Sequence, residues 1–152
     1  MKPPIPATNA ETVEELIKLS HKAPPGCFVE IGVGQGGTSY LLYQLVEEQN
    51  RQLHLFDERL EDPIKNLCPK AIQHLGKFPE TWVNMGNVAF CFFDLANIEA
   101  AKFLIGKMPT DFVKKGIALF YPYNKDAIDY NVHPDWTIGG RGNMRYPYVE
   151  NR

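Results

Sequence analysis

Three features predict an α/β fold: a strand, glycine loop, helix and strand in succession; a later apolar run suited to burial on both faces; and a C-terminal glycine turn flanked by short apolar segments. The expected architecture is a Rossmann-like three-layer α/β/α sandwich, its sheet mostly parallel and closed by an antiparallel C-terminal hairpin.

The elements follow in order. After a proline-rich lead, Thr8-Asn9-Ala10-Glu11 fits a capping box, and Val13, Leu16 and Ile17 recur at i, i+3 and i+4, which predicts a helix from about Asn9 to His21. Pro24-Pro25-Gly26 breaks it. Cys27-Phe28-Val29-Glu30-Ile31 reads as a short strand running into the glycine loop. Leu41, Leu42, Leu45 and Val46 then stripe a helix from about Thr38 to Gln49, and Leu53-His54-Leu55-Phe56-Asp57 reads as a second strand, completing a βαβ unit. Between Asp57 and Asn87 the pattern weakens. Ala71-Ile72-Gln73-His74 suits a brief strand, and the rest of that stretch is expected to be irregular. Val88 to Asp94 is a continuous apolar run ending in a carboxylate, as in a parallel strand covered on both faces. A helix from about Asn97 to Met108 follows, ended by Pro109; Lys114-Lys115-Gly116 is expected to turn the chain into the strand Ile117-Ala118-Leu119-Phe120. Trp136-Thr137-Ile138 and Met144-Arg145-Tyr146 flank Gly139-Gly140-Arg141-Gly142 as the two arms of a hairpin.

With 152 residues, of which 44% are hydrophobic and 22% charged, the chain is expected to form a single domain spanning 1–152 with a substantial core. A formal net charge of -2 gives no basic footprint, so nucleic acid is not an expected partner. Cys27, Cys68 and Cys91 stand apart with no Cys-x-x-Cys pair and read as reduced core residues of a cytoplasmic protein. The N-terminus lacks a signal peptide's apolar stretch. No apolar run approaches the roughly 18 residues that a membrane span requires, so a soluble protein is expected.

The loop Glu30-Ile31-Gly32-Val33-Gly34-Gln35-Gly36-Gly37 is the chief functional signal. In a βα turn, glycines admit positive φ and close approach of a ligand, while the helix N-terminus offers free N–H groups. Gly32, Gly34 and Gly37 also satisfy the G-x-G-x-x-G of nicotinamide and flavin proteins. Glu30 separates the readings. A carboxylate two positions before the first glycine would repel a pyrophosphate but can pair, directly or through water, with the ammonium of S-adenosylmethionine (SAM). Asp57, at the end of the second strand, can accept hydrogen bonds from ribose hydroxyls in either cofactor. The plainer alternative makes Glu30 and Asp57 two solvated strand-end carboxylates.

From about Gly26 to Asn124 the residues resemble class I SAM-dependent methyltransferases, and within them the macrocin O-methyltransferase (TylF-like) group. The resemblance rests on Glu-x-Gly-x-Gly-x-Gly at Glu30 to Gly36, on Asp57, on Gly76-Lys77-Phe78-Pro79-Glu80-Thr81, on Asp94 and Glu99, and on the turn Val113-Lys114-Lys115-Gly116. It implies SAM as cofactor, contacted by Glu30, Gly32, Gly34, Gly36, Gly37, Thr38, Asp57 and Asp94, with Gly76 and Phe78 bordering the adenine. The group's Mg²⁺ ligands align with Ala96, Tyr121 and Pro122, which are not hard-cation ligands, so no metal site of that type is expected. The chain is also shorter than the group's norm, near residues 58–75 and after the fifth strand.

Methyl transfer needs an in-line acceptor, and a base only where the acceptor loses a proton. Asp94, at the carboxyl end of the fourth strand, is the best candidate to contact SAM or steer an acceptor. Tyr121, Tyr123 and Asn124 leave the fifth strand at the same edge and are expected to line the acceptor pocket. His133 is either a catalytic base or a solvated surface group. His21, His54 and His74 show no metal-ligand spacing. Tyr146-Pro147-Tyr148 suits packing or subunit contact, as in a homodimer. The leading expectation is a SAM-dependent enzyme methylating a small-molecule acceptor at oxygen; the alternatives are a SAM-binding protein without methyl transfer, regulatory or SAM-degrading, and a nicotinamide-binding reductase.

Overall fold

The computed structural model describes residues 10–34, 36–60, 62–121, 137–139 and 148–151. In chain order the elements are α1 (Ala10–Lys22), β1 (Cys27–Ile31), α2 (Gly37–Gln49), β2 (Leu53–Asp57), α3 (Asp62–Leu67), β3 (Ile72–Leu75), β4 (Val88–Phe93), α4 (Ile98–Asp111), β5 (Phe112–Phe120), β6 (Thr137–Gly139) and β7 (Tyr148–Glu150). They build a seven-stranded sheet in the order β3-β2-β1-β4-β5-β7-β6. Strands β3 to β5 are mutually parallel across the sheet, and β7 runs antiparallel between β5 and β6. This is the predicted α/β architecture.

Every residue of β1 and β4 is buried, because helices cover both faces of the central sheet. Side-chain alternation divides the core. Val29, Ile31, Cys91 and Phe93 pack toward Leu104 and Met108 of α4, whereas Phe28, Phe90 and Phe92 pack toward Leu16 of α1 and Leu42 and Val46 of α2. Glu30 shares the parity of Phe28 and therefore meets α2. The strand order reverses between β1 and β4, which opens a crevice at their carboxyl ends, where open α/β sheets bind ligands.

Four local expectations require correction. The stretch expected to be irregular contains α3, a helix of six residues whose one buried side chain, Ile64, is too little to produce a readable period. Pro109 does not end α4; the helix continues to Asp111, and the Phe112 N–H closes its last turn on the Met108 carbonyl. Tertiary contacts hold that turn, since buried Asp111 accepts a hydrogen bond from Trp82 Nε1 at 2.7 Å. Lys114-Lys115-Gly116 is a bulge inside β5 and not a turn before it: pairing passes from Val88↔Phe112 to Phe90↔Ile117, and Lys115 takes φ 67°. Finally, the partner of β6 is Tyr148–Glu150 rather than Met144–Tyr146, which lies outside the described residues. Val149 is fully buried opposite Ala118, so burial against β5 sets the register. The brief strand read at Ala71 to His74 is present one position later.

Among the described residues no helix is long and apolar enough to cross a membrane. Cys27, Cys68 and Cys91 are all free and buried.

Candidate cofactor site

The glycine loop leaves β1 at the reversal of strand order. Gly32 donates its N–H to the Phe56 carbonyl at 2.9 Å, and Asp94 donates its own to the Ile31 carbonyl at 2.8 Å, so the ends of β1, β2 and β4 are laced together. Gly32 has φ 88° and lies against the Asp94 main-chain carbonyl, where no Cβ fits. Gly36, at φ 90°, is the left-handed N-cap of α2, and a Cβ there would collide with Ile64. Both glycines are thus required by backbone shape and close approach.

Asp57 braces the loop. Its Oδ2 accepts the N–H groups of Val33 at 2.7 Å and Gly34 at 3.0 Å, and Oδ1 accepts that of Glu58 at 2.6 Å. A carboxylate has about four acceptor positions, so capacity remains for a ligand hydroxyl. The sequence does not reveal this bracing role, because it depends on β2 lying beside β1.

Glu30 is 1% exposed. Its Oε1 accepts a hydrogen bond from Ser39 Oγ in the first turn of α2, while Oε2 is buried and has no hydrogen-bond partner among the described residues. Burial raises its pKa to about 8, the Ser39 bond opposes that rise, and the nearby carboxylates Asp94 and Asp57 add to it. The alternative of two solvated strand-end carboxylates therefore does not describe this site. Asp94 is half-buried, and burial raises its pKa to about 6.

The crevice beside these groups is a cleft of about 410 Å³. Gly32, Phe56, Asp57, Gly76, Phe78, Leu95, Ala96 and Asn97 are among the residues that line it. Gly76 is tied to β2 by its N–H on the Asp57 carbonyl at 3.0 Å. Phe78 is mostly buried, edge-on to Phe56, Trp82, Phe93 and Phe103, so it is a core residue with one face on the cleft. Gly37 and Thr38 are buried in the first turn of α2, beneath the loop. Tyr121, just after β5, is half-buried with its ring tilted against Phe92 at 6.5 Å, and Phe92 is the β4 residue paired with Glu30. Tyr123, Asn124 and His133 lie outside the described residues.

The structure thus brings Gly32, Asp57, Gly76 and Phe78 into one cleft, while Glu30 precedes Gly32 by two positions on β1 and Asp94 directly precedes the cleft residue Leu95. Ser39 went unnoticed in the sequence. Its only signal is a small hydroxyl residue two places after the last glycine of the loop, on a face of α2 that is otherwise apolar. Among the described residues no group of three His, Cys, Asp or Glu side chains is placed to hold a metal ion.

No known protein family and no curated protein matches the sequence. Solved structures do match in fold. The calicheamicin methyltransferase CalS11 superposes with a TM-score of 0.71 at 14% identity, covering 93% of this chain and 80% of that one. The O-methyltransferase NovP gives 0.68 at 14% identity, covering 93% and 78%. An rRNA methylase from Streptococcus thermophilus gives 0.59 at 14% identity and covers 95% and 96%. The fold is that of class I SAM-dependent methyltransferases.

Proposed function

We propose that this chain is a single-domain SAM-dependent methyltransferase acting on a small-molecule acceptor, with oxygen as the methylated atom. One observation carries the reading: a buried carboxylate, Glu30, keeps an unpartnered oxygen beside a glycine loop at the point where strand order reverses. An isolated buried carboxylate is costly, and a cationic ligand relieves that cost where a diphosphate would increase it. This favours SAM over a dinucleotide. The likeness to CalS11, a TDP-rhamnose 3'-O-methyltransferase, supports an O-linked small acceptor, and the net charge of -2 speaks against an RNA substrate such as the rRNA methylase takes.

In this reading Glu30 receives the ammonium, Gly32, Gly34, Gly36, Gly37 and Thr38 shape the loop and helix start around the amino-acid portion, and Asp57 takes ribose hydroxyls while bracing the loop. Gly76 and Phe78 border the adenine. Bound SAM supplies an electrophilic methyl group. Asp94 steers the acceptor or takes its proton, a role suited to a carboxylate whose pKa of about 6 lies near neutrality. Tyr121, Tyr123 and Asn124 line the acceptor side, and His133 is the other candidate base. The free, buried cysteines fit a reducing compartment such as the cytoplasm.

A second reading, SAM binding without transfer, is favoured by Ala96, which lines the cleft where the resembling group has a metal-binding carboxylate. Thermal unfolding with SAM, S-adenosylhomocysteine or NAD tests the site. A ligand held only by the native state stabilises it by about 2.7 kcal/mol at a hundredfold excess over Kd. A rise in Tm with the two adenosyl compounds and none with NAD is expected; the reverse pattern would overturn the proposal. Consumption of SAM only when a hydroxylated acceptor is added separates a transferase from a silent binder and from a SAM-degrading enzyme.

A further inference from the structure

The arrangement around Glu30 goes beyond a receptor for positive charge. The side chain lies on β1 between β2 and β4, and the titratable groups acting on it are all acids: Asp94 after β4 and Asp57 at the end of β2. The buried thiols Cys68 and Cys91 feel its charge in turn, and both are pushed further toward the neutral form by it. Among the described residues its one hydrogen-bond partner is the Ser39 hydroxyl. A carboxyl group so placed has two stable conditions. With the cleft empty, a proton neutralises it, because burial and two neighbouring carboxylates oppose a third negative charge. With a cation against Oε2, the ionised form is compensated, and the Ser39 hydroxyl already donates to Oε1.

Resting on the reading of the cleft as a SAM site, we infer that Glu30 holds a proton in the empty protein and surrenders it to solvent when the ligand's ammonium enters, and that Ser39 is a positioning residue that eases this loss by donating to the ionised carboxylate. The O–H bond of the Glu30 carboxyl breaks, the electron pair stays on the carboxylate, and the proton passes to buffer. Ligand entry is therefore coupled to release of close to one proton near neutral pH. Ser39 sets the pH at which that exchange operates, because its hydrogen bond stabilises the ionised form.

Calorimetric titration of the full chain with S-adenosylhomocysteine, in phosphate and in Tris, tests this, since the two buffers differ widely in their heat of protonation. At pH 7 the heats should differ by the equivalent of close to one proton per ligand, and the difference should shrink toward roughly pH 9, one unit above the Glu30 value of about 8. In Ser39→Ala the release should persist to higher pH, a displacement that loss of packing alone would not produce. Equal heats in the two buffers for the unmodified protein would overturn the inference and leave the cofactor reading standing. Absence of heat in both would overturn the cofactor reading and this inference with it. A release profile unmoved in Ser39→Ala would remove Ser39 from the mechanism; should that variant not fold, the two-buffer comparison on the unmodified chain still decides the proton exchange.

Discussion

Gly32 lies against the main-chain carbonyl of Asp94, and this contact joins the loop after β1 to the end of β4 where strand order reverses. Glycine is needed there for two separate reasons, a positive φ of 88° and the absence of room for a Cβ. The same contact sets the loop against Leu95, which lines the cleft beside Ala96 and Asn97.

Gly32→Ala should therefore destabilise the protein by about 3 kcal/mol, the sum of left-handed strain and displacement of Asp94. Gly34→Ala should cost about 1 kcal/mol, because no described residue lies within 4 Å of a Cβ at that position and its φ of 57° is what is at issue. Urea unfolding of the two variants provides the comparison. Equal losses would show that the contact with Asp94 contributes nothing.

Asp57→Ala should expose the loop by removing the acceptor of the Val33 and Gly34 N–H groups. The expected loss is about 2 kcal/mol, with faster amide exchange at Val33 and Gly34. Exchange at those two amides that matches the unmodified chain would mean that the loop keeps its shape without the brace.

The pH dependence of stability should bear the mark of Glu30. Its pKa in the folded protein, about 8, lies above the ordinary carboxyl value of 4.5, so the unfolded chain loses that proton first. Stability contributed by the neutral form is complete below about 4.5 and is lost as pH rises toward 8, at up to about 1.4 kcal/mol per pH unit. His54 acts in the opposite sense. Burial lowers its pKa from 6.5 to about 4, so its contribution is complete above 6.5 and is lost as pH falls. The two trends oppose each other in acid, and the decline due to Glu30 should stand alone between 6.5 and 8. Glu30→Gln should flatten that decline and raise Tm at pH 8 while weakening S-adenosylhomocysteine binding at least tenfold; an unchanged slope in this variant would contradict the assignment.

Trp82→Phe should destabilise the end of α4. The substitution keeps a ring against Phe56 and Phe78 but removes the donor to Asp111 Oδ2, leaving a carboxylate that is 3% exposed with Thr110 Oγ1 at 2.8 Å on its other oxygen. A loss of about 2 kcal/mol in thermal unfolding is expected. A variant as stable as the parent would show that the last turn past Pro109 is held by other contacts.

The central βαβ unit and β4 were legible because burial on both faces leaves unbroken apolar runs, and because the loop glycines leave no alternative residue. The errors share one origin. At Pro109, Lys115 and α3 the local preference points one way, and a contact from a distant part of the chain points the other: Trp82 to Asp111, Asn151 to the main chain of β5, and Ile64 to the surface of Gly36. Asn151 Nδ2 reaches the Phe112 and Val113 carbonyls, and its main chain bonds both Lys115 and Gly116, so the last described residues of the chain hold the bulge in place. No window of neighbouring residues contains that information.

The sequence by itself determined the strand and helix types, the glycine loop and the pair of acidic residues at the strand ends, since each follows from periodicity, turn chemistry or charge within a short segment. Only the tertiary structure decided what those acids do. Side-by-side packing of β1, β2 and β4 turned Asp57 into the brace of the loop, while closure of α2 over the sheet took Glu30 out of water and brought Ser39 to it as a hydrogen-bond donor. The reason is physical: a carboxyl group's charge and bonding depend on its dielectric surroundings and on the donors brought to it, and both are products of packing between segments far apart in the chain.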